Sequence, residues 1–232
     1  MSRFSPGLAS GFLAQCAICC AGLFLFSTAA GLTQAASLAA SQIPRTSKES
    51  YDVMLRRVKE TDSGVSFREF RLAYADSPYY TPSADGATRK AMFAALNAKD
   101  YAQALDLAER ILKDRYVDIY AHQTASVAYR ELDKRAEGSV HASLARELIR
   151  SIVESGDGNS PETAMLLISE EEESVILSAL QLRMVSQELQ DVDGHTYDRV
   201  EAMDSGDGSV VLFFNLDVPV AKVREALTKM KD

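Results

Sequence analysis

Residues 101–132 read YAQALDLAERILKDRYVDIYAHQTASVAYREL and decide the helical half of the fold. Apolar residues recur there every three or four positions, which is the spacing of one face of an α-helix. A first stripe ends before Asp118 and a second one ends at Leu132, with only a short link between them. Two helices joined by a short link are expected to pack antiparallel. The stripes consist of Tyr101, Ala104, Leu105, Ala108, Ile111 and Leu112, and of Ala121, Ala125, Ala128, Tyr129 and Leu132.

The helical pattern extends to both sides of this stretch. The same spacing predicts a helix over 139–152 and shorter helices over 51–58, 66–74 and 87–97. The turn before Tyr101, with Ala104 one helical turn later, resembles a single tetratricopeptide-type hairpin, in which Ala allows close approach and Tyr fills the groove. Since no further repeat follows, we do not expect a long solenoid.

After residues 155–158 the apolar period shortens toward two, which is the period of a β-strand. Glycine-containing turns separate the candidate strands, so we expect a small antiparallel sheet. A closing helix over 218–231 should turn Val223 and Leu227 inward. The predicted fold class is therefore α+β: N-terminal antiparallel helical hairpins, then a small antiparallel sheet and a C-terminal helix. The four predicted strands are 165–168, 182–189, 197–202 and 210–215.

The N-terminal segment has the layout of an export signal. Arg3 is the only charged residue before Arg45, and the run 11–30 is apolar and followed by small residues. We expect 1–35 to be a signal peptide or an uncleaved anchor, since a run of this length also suits a membrane span. The protein should then be exported, and periplasmic, envelope-associated or secreted. The predicted organisation is completed by a linker over 36–49 and a single α+β domain over 50–232, with a helical part (50–154) and a sheet part (155–232).

Charge and cysteine content exclude several function classes. The formal net charge of -8 and the pI near 5.0 argue against nucleic-acid binding, which needs a basic face. A membrane is expected as a partner only through the N-terminal segment. All three cysteines, Cys16, Cys19 and Cys20, lie in that segment. The domain itself therefore has no disulfide framework, thiolate nucleophile or Cys-ligated zinc, and we expect no cofactor.

Two histidines are the main candidates for chemistry. Asp118 and His122 are four residues apart, so a helix would place them on one face, where the carboxylate could orient the imidazole. His141 lies on the next helical stripe and could approach His122 across the hairpin. These residues would make a conceivable metal or catalytic site, although a histidine at the edge of a stripe is more often a hydrogen-bonded structural residue. We assign no metal site.

Two Gly-containing segments contain weaker candidates. Ser155 could be a nucleophile near the histidines. Asp157 could belong to the same site or to a calcium-type set of oxygen ligands. Helix termination and turn formation explain the same residues, and the recurrence of Ser-Gly-Asp-Gly at 205–208 favours that explanation. His195 is a further catalytic candidate, and it begins a strand in which Tyr197 lies on the same face and Asp198 on the other.

Several runs in the chain resemble a known family. They are SFREFRLAY (66–74), DIYAH (118–122), His141, SIVESGDG with PETA (151–158 and 161–164) and DGHTYD (193–198). The resemblance is to the bacterial family of exported proteins catalogued as domain of unknown function number 4919, with departures at Ser66 and around Glu173. It implies an exported or envelope protein with a tetratricopeptide-like helical part, and it implies no established activity.

Two functional hypotheses follow. The first is a non-enzymatic binding or scaffold module that holds an envelope protein or peptide in a helical groove, with Tyr79, Tyr80, Tyr101 and Tyr129 as aromatic candidates; Tyr197 and Asp198 are further binding candidates. The second is a hydrolase or metal-dependent enzyme with a His122/His141/Asp157 site. The common enzyme motifs, such as a Gly-rich phosphate loop or His-Glu-x-x-His, are absent from the sequence. The acidic run 170–173 is expected to start a helix or to form a solvated loop that could dock a basic partner.

Overall fold

The computed structural model describes residues 49–206 and 208–229, so the predicted signal peptide or anchor and all but the last residue of the predicted linker lie outside the described residues. Six helices come first in the described chain. Side chains of Ser66, Asp100 and Asp118 accept hydrogen bonds from first-turn amides and so fix the starts of the second, fourth and fifth helices. The helices are α1 (Tyr51–Lys59), α2 (Phe67–Ala75), α3 (Gly86–Asn97), α4 (Tyr101–Asp114), α5 (Ile119–Glu131) and α6 (Arg135–Val153).

Helices α3 to α6 pack side by side in chain order, so the predicted hairpins are present. Alanines fill the seams between them and are fully buried, because a methyl side chain lets two helix axes come close together. At the α3–α4 turn, Lys99 takes a left-handed conformation with φ of 61°, which reverses the chain just before the Asp100 cap. The buried alanines of this cluster include Ala104, Ala108, Ala121, Ala125 and Ala128.

The second half of the described chain forms a four-stranded sheet with two further helices. The strand order is β1-β4-β3-β2, and β1 pairs parallel with β4. The sheet is therefore mixed, and the expectation of a purely antiparallel sheet was wrong. A parallel pair needs a long crossover, which the intervening helix and two strands provide. The elements are β1 (Met165–Leu166), α7 (Glu171–Ala179), β2 (Arg183–Val192), β3 (His195–Met203), β4 (Ser209–Asn215) and α8 (Asp217–Lys229), with a short 3-10 helix at Pro161–Thr163.

One face of this sheet completes the main core. Val200, Leu212 and Phe214 are buried in the same cluster as Phe70 of α2 and Leu148 of α6. The predicted α+β class, with helices first and the sheet second, is confirmed. No helix in the described ranges is long and apolar enough to cross a membrane.

A buried ion pair connects the two halves. Arg71 of α2 donates from Nε and Nη2 to the two carboxylate oxygens of Glu172 at 3.0 and 2.6 Å. Arg71 also donates to the carbonyl oxygen of Leu166, and Glu172 accepts from the amide of Ile168. Because the two charges satisfy each other and the nearby backbone, they can be buried together.

The acidic run 170–173 starts a helix, which is one of its two predicted alternatives, because α7 begins at Glu171. It is not a solvated edge, since Glu172 and Glu173 are only 5% and 6% exposed. The prediction for the last helix was wrong. On α8, Val223 and Leu227 are not turned inward but are 47% and 54% exposed. Only the first part of α8 packs on the core, through Pro219 and its neighbours.

Candidate functional site

The structure brings His122 and His141 together, as the two helical stripes predict. Their Nδ1 atoms are 2.9 Å apart, across the seam between α5 and α6. The His122 side chain is fully buried, whereas His141 is half-buried at the edge of the seam. At this distance one imidazole nitrogen must carry a proton and the other must offer a lone pair.

The surrounding contacts assign the protons of this pair. His122 Nε2 lies 2.9 Å from the carbonyl oxygen of Tyr116, which can only accept, so this nitrogen donates. Burial, with a smaller contribution from His141, lowers the pKa of His122 to about 4. Neutral His122 therefore accepts through Nδ1 from the Nδ1–H of His141. The remaining nitrogen of His141, Nε2, is left with a lone pair and can act as a base or a ligand.

Aromatic rings enclose the pair. Tyr116 meets His122 edge to face with centroids 4.9 Å apart, and Tyr129 stacks on His141 at 5.4 Å and 26°. The Tyr129 hydroxyl donates to Glu109 at 2.6 Å. Burial is the main cause that lowers the pKa of His141, and the negative charge of Glu109 opposes it. Both imidazoles are therefore neutral at pH 7.

The other predicted aromatic residues do not join this cluster. Tyr101 is half-buried at the start of α4, against the alanine-rich core. Tyr79 is 49% exposed and Tyr80 donates its hydroxyl to the carbonyl oxygen of Ile168 at 2.8 Å. The predicted tyrosines therefore do not line one groove.

Asp118 does not orient His122, contrary to the spacing argument. It is the N-cap of α5, and its side chain turns back to accept from the amide of Ala121 at 2.9 Å. The same carboxylate also binds Arg89 through two hydrogen bonds, the shorter being 2.6 Å. A cap residue has a non-helical conformation, which explains why the i, i+4 rule fails at this position.

Ser155 and Asp157 are far from the two histidines. About 18 Å of helix separates His141 from Val153, the last residue of α6, and both candidates follow that residue. Ser155 Oγ donates to the carbonyl oxygen of Ile152 and accepts from the amide of Leu166. Asp157 is exposed and accepts from the amide of Asn159. These are turn contacts, so the structure does not assemble the predicted His122/His141/Asp157 site.

The strand candidates lie in the sheet part. His195 Nδ1 is 2.6 Å from Asp217 on α8, and its side chain is largely exposed. Tyr197 is buried in the sheet, and burial is the first cause that raises its pKa. Asp198 is 3% exposed and accepts from the side-chain amide of Gln187 at 3.0 Å.

A buried pair of carboxyl groups, Glu173 and Asp198, was missed by the sequence analysis as a unit. Burial, then the hydrogen bond and charge of Asp198, then Glu170, raise the pKa of Glu173 to about 8. Oδ1 of Asp198 is buried and, among the described residues, has no hydrogen-bond partner while both carboxyl groups are ionised. The raised pKa keeps Glu173 protonated at neutral pH, and its proton can be donated to Asp198. The alternation of side chains along the strand places Asp198 on the same sheet face as Val200, and this pattern could have indicated that Asp198 is buried.

A second missed cluster joins two arginines to two carboxylates. Arg89 contacts Asp118 and Glu171 at 2.6 and 2.8 Å, and Arg115 contacts Glu171 at 3.1 Å. Burial is the first cause that raises the pKa of Glu171, and the two arginines oppose it. Because two positive charges face two negative ones, the cluster is neutral and is suited to holding α7 against the helices.

Two open clefts on the described helical part are larger than the one beside Tyr79. One of about 310 Å³ is lined by the α2–α3 loop and by Arg110, Asp114 and Arg115 of α4 and the turn that follows it. The other, of about 340 Å³, lies between the start of α2 and the end of α6. Neither is lined by the histidine pair. Over 49–206 and 208–229, no group of three or more His, Cys, Asp or Glu side chains is arranged to hold a metal ion.

Comparison with known proteins places the chain in a family. No curated protein and no solved structure matches it. A family profile described as "Domain of unknown function (DUF4919)" matches residues 40–224, which include all of the helices and strands above except the last turns of α8. The chain therefore belongs to the DUF4919 family.

Proposed function

We propose that this chain is a non-enzymatic, exported binding module whose partner, an envelope protein or peptide, docks on the helical part at the stack formed by Tyr129 and His141. The observation that supports this proposal is the fixed position of a partly exposed aromatic ring. Tyr129 stacks on His141, His141 donates to buried His122, and His122 donates to the backbone at Tyr116.

A ring held in this way loses little conformational freedom on binding, which is why tyrosines dominate many protein interfaces. The hydroxyl of Tyr129 is also held, by Glu109. Exposed apolar side chains continue the surface on the same hairpin: Leu132, which ends α5, is 37% exposed, and Val140, which precedes His141, is 43% exposed. Lys134 lies 5.9 Å from the Tyr129 ring and adds a positive charge.

The test is a pull-down from envelope extract followed by cross-link mapping on the bound partner. Tyr129→Ala should lose the partner and Tyr101→Ala should keep it, since both tyrosines are half-buried but only Tyr129 belongs to the stack. Cross-links to the partner should form at Lys134 in the parent protein. If Tyr129→Ala retains the partner, or the cross-links lie only in the sheet part, the proposed surface is wrong.

A second candidate function rests on the proton assignment of the histidine pair. His141 Nε2 has a lone pair and its hydrogen-bonded neighbour is fixed, which is the arrangement of a general base or of a single metal ligand. This enzyme hypothesis predicts a metal- or ligand-dependent rise in melting temperature that His141→Gln abolishes. A metal and metabolite screen by thermal shift, with Tyr101→Ala as the folding control, distinguishes it from the binding module. If no metal or metabolite in the screen raises the melting temperature, the enzyme hypothesis is wrong.

A further inference from the structure

Three consecutive acidic residues begin α7, and each of them is bound by a different part of the fold. Glu171 is held by Arg89 of α3 and by Arg115, which follows α4, at 2.8 and 3.1 Å. Glu172 is held by Arg71 of α2 at 2.6 Å. Two of the three side chains therefore fasten α7 to the helical part through ion pairs with arginine.

The third acidic side chain is held by another acid. Glu173 contacts Asp198 of β3, and the two residues are only 6% and 3% exposed. The charged groups that act on Glu173 are Asp198 and Glu170, and none comes from α5, α6 or β2, which also pack on α7. Asp198 accepts from Gln187 of β2, which is uncharged. In the part of the chain that the structure describes, no base therefore neutralises this contact between α7 and the sheet.

A proton is what allows this contact to be buried. With Glu173 protonated, its hydroxyl can donate to Asp198, whose Oδ1 has no other partner among the described residues. Without that proton two carboxylates face each other in a buried site, where like charges repel more strongly than in water. The ion pairs of Glu171 and Glu172 do not depend on pH in this way, because a guanidinium group stays charged.

The acid pair lies at one end of a longer seam between α7 and β3. Glu173, in the first turn of α7, contacts Asp198. Arg183, which follows α7 after a short turn, pairs with Met203 at the other end of β3. The helix therefore runs along the strand between these two points. Val200 is fully buried on the same strand face as Asp198 and lies beneath the helix.

We infer that α7 and β3 separate locally in alkaline solution, when Glu173 loses its proton, while the arginine ion pairs keep α7 on the helical part. Burial, Asp198 and Glu170 raise the pKa of Glu173 to about 8, so the separation begins close to neutral pH. The separation uncovers apolar side chains of the main core, among them Val200. The fold thus contains a contact whose opening is controlled by one proton.

Proton linkage determines the size of the effect. In the open form the Glu173 carboxyl group is solvated and loses its proton near pH 4.5, whereas in the closed form it keeps the proton up to about pH 8. The open fraction therefore grows as the pH rises and levels off above about 8. Between pH 6.5 and 9 it should increase at least about tenfold.

Thiol labelling measures this opening on the complete protein, with Cys16, Cys19 and Cys20 replaced by Ser. Val200→Cys places a thiol in the seam beneath α7, and Ala125→Cys places one in the buried core of the helical hairpins as the matched control. Labelling rates at pH 6.5 and 9 are divided by those of a free model thiol, which removes the effect of thiol ionisation. The corrected rate of Val200→Cys should rise at least about tenfold, whereas that of Ala125→Cys should not change.

Replacing Glu173 identifies the trigger. Added to Val200→Cys, Glu173→Gln should abolish the rise, because an amide N–H can donate the same hydrogen bond at every pH. Glu60→Gln, which removes an exposed charge, should leave the rise unchanged. If Val200→Cys lowers the melting temperature, Ala202→Cys, fully buried on the same strand face, takes its place. No rise in labelling, an equal rise in Ala125→Cys, or a rise that survives Glu173→Gln overturns the inference.

Discussion

Replacing Glu173 by Gln should remove a pH dependence of stability that the parent protein has near neutrality. In the folded protein Glu173 keeps its proton up to a pH of about 8, whereas the unfolded chain loses it near 4.5. Between these two values the folded state binds more protons than the unfolded state. The stability that the Glu173 proton contributes is therefore fully present below about pH 4.5 and is lost as the pH rises toward 8.

The size of the effect follows from linkage. Considered alone, the Glu173 proton makes each pH unit in this window cost roughly 1 kcal/mol of unfolding free energy, and a few kcal/mol accumulate in total. In the Glu173→Gln variant an amide N–H replaces the proton and can donate to Asp198 at every pH. This variant should therefore match the parent near pH 5 and exceed it by a few kcal/mol near pH 8.

Urea unfolding followed by circular dichroism at pH 5 to 9 measures this difference. Glu60→Gln is the matched control, because Glu60 is exposed and its replacement removes a negative charge without touching the buried pair. The control should keep the slope of the parent. An unchanged slope in Glu173→Gln would show that Glu173 does not keep its proton in the folded protein.

Three further predictions concern other buried features. Arg71→Met should destabilise the fold by about 3–5 kcal/mol in urea unfolding, because Glu172 is left buried without its partner; a loss below about 1 kcal/mol would contradict the pairing. His122→Gln should reduce the loss of stability as the pH falls from 6.5 to 4, since burial depresses the pKa of His122 and the unfolded chain then binds the extra proton. The lowered pKa of His141 leaves part of this loss in the variant, and parallel pH profiles for parent and variant would contradict the prediction. Gly156→Ala should lower the free energy of unfolding by about 1–3 kcal/mol, because the added Cβ would lie 2.3 Å from the carbonyl oxygen of Thr163. Gly206→Ala should lower it less, since the nearest atom to its added Cβ is 3.5 Å away. Equal melting temperatures for the two variants would show that the backbone of the 155–158 turn shifts to accommodate the Cβ.

Much of the fold was predictable because the signals are local. The apolar stripes depend on residues within a few turns of each other, and they predicted the helical hairpins. The same stripes predicted that His122 and His141 approach each other. The turn at Asp193 and Gly194 joins β2 and β3, as the glycine turn indicated.

The remaining features are determined by contacts between distant parts of the chain. Glu172 and Glu173 look solvated in sequence because isolated charges avoid burial, and only tertiary contacts with Arg71 and Asp198 make their burial possible. The parallel pairing of β1 with β4 likewise joins segments separated by one helix and two strands. Local periodicity thus predicted the helical hairpins and the strands separated by glycine turns from the sequence alone. The environment of each charged group exists only after the chain has folded, since it is supplied by residues up to 101 positions away.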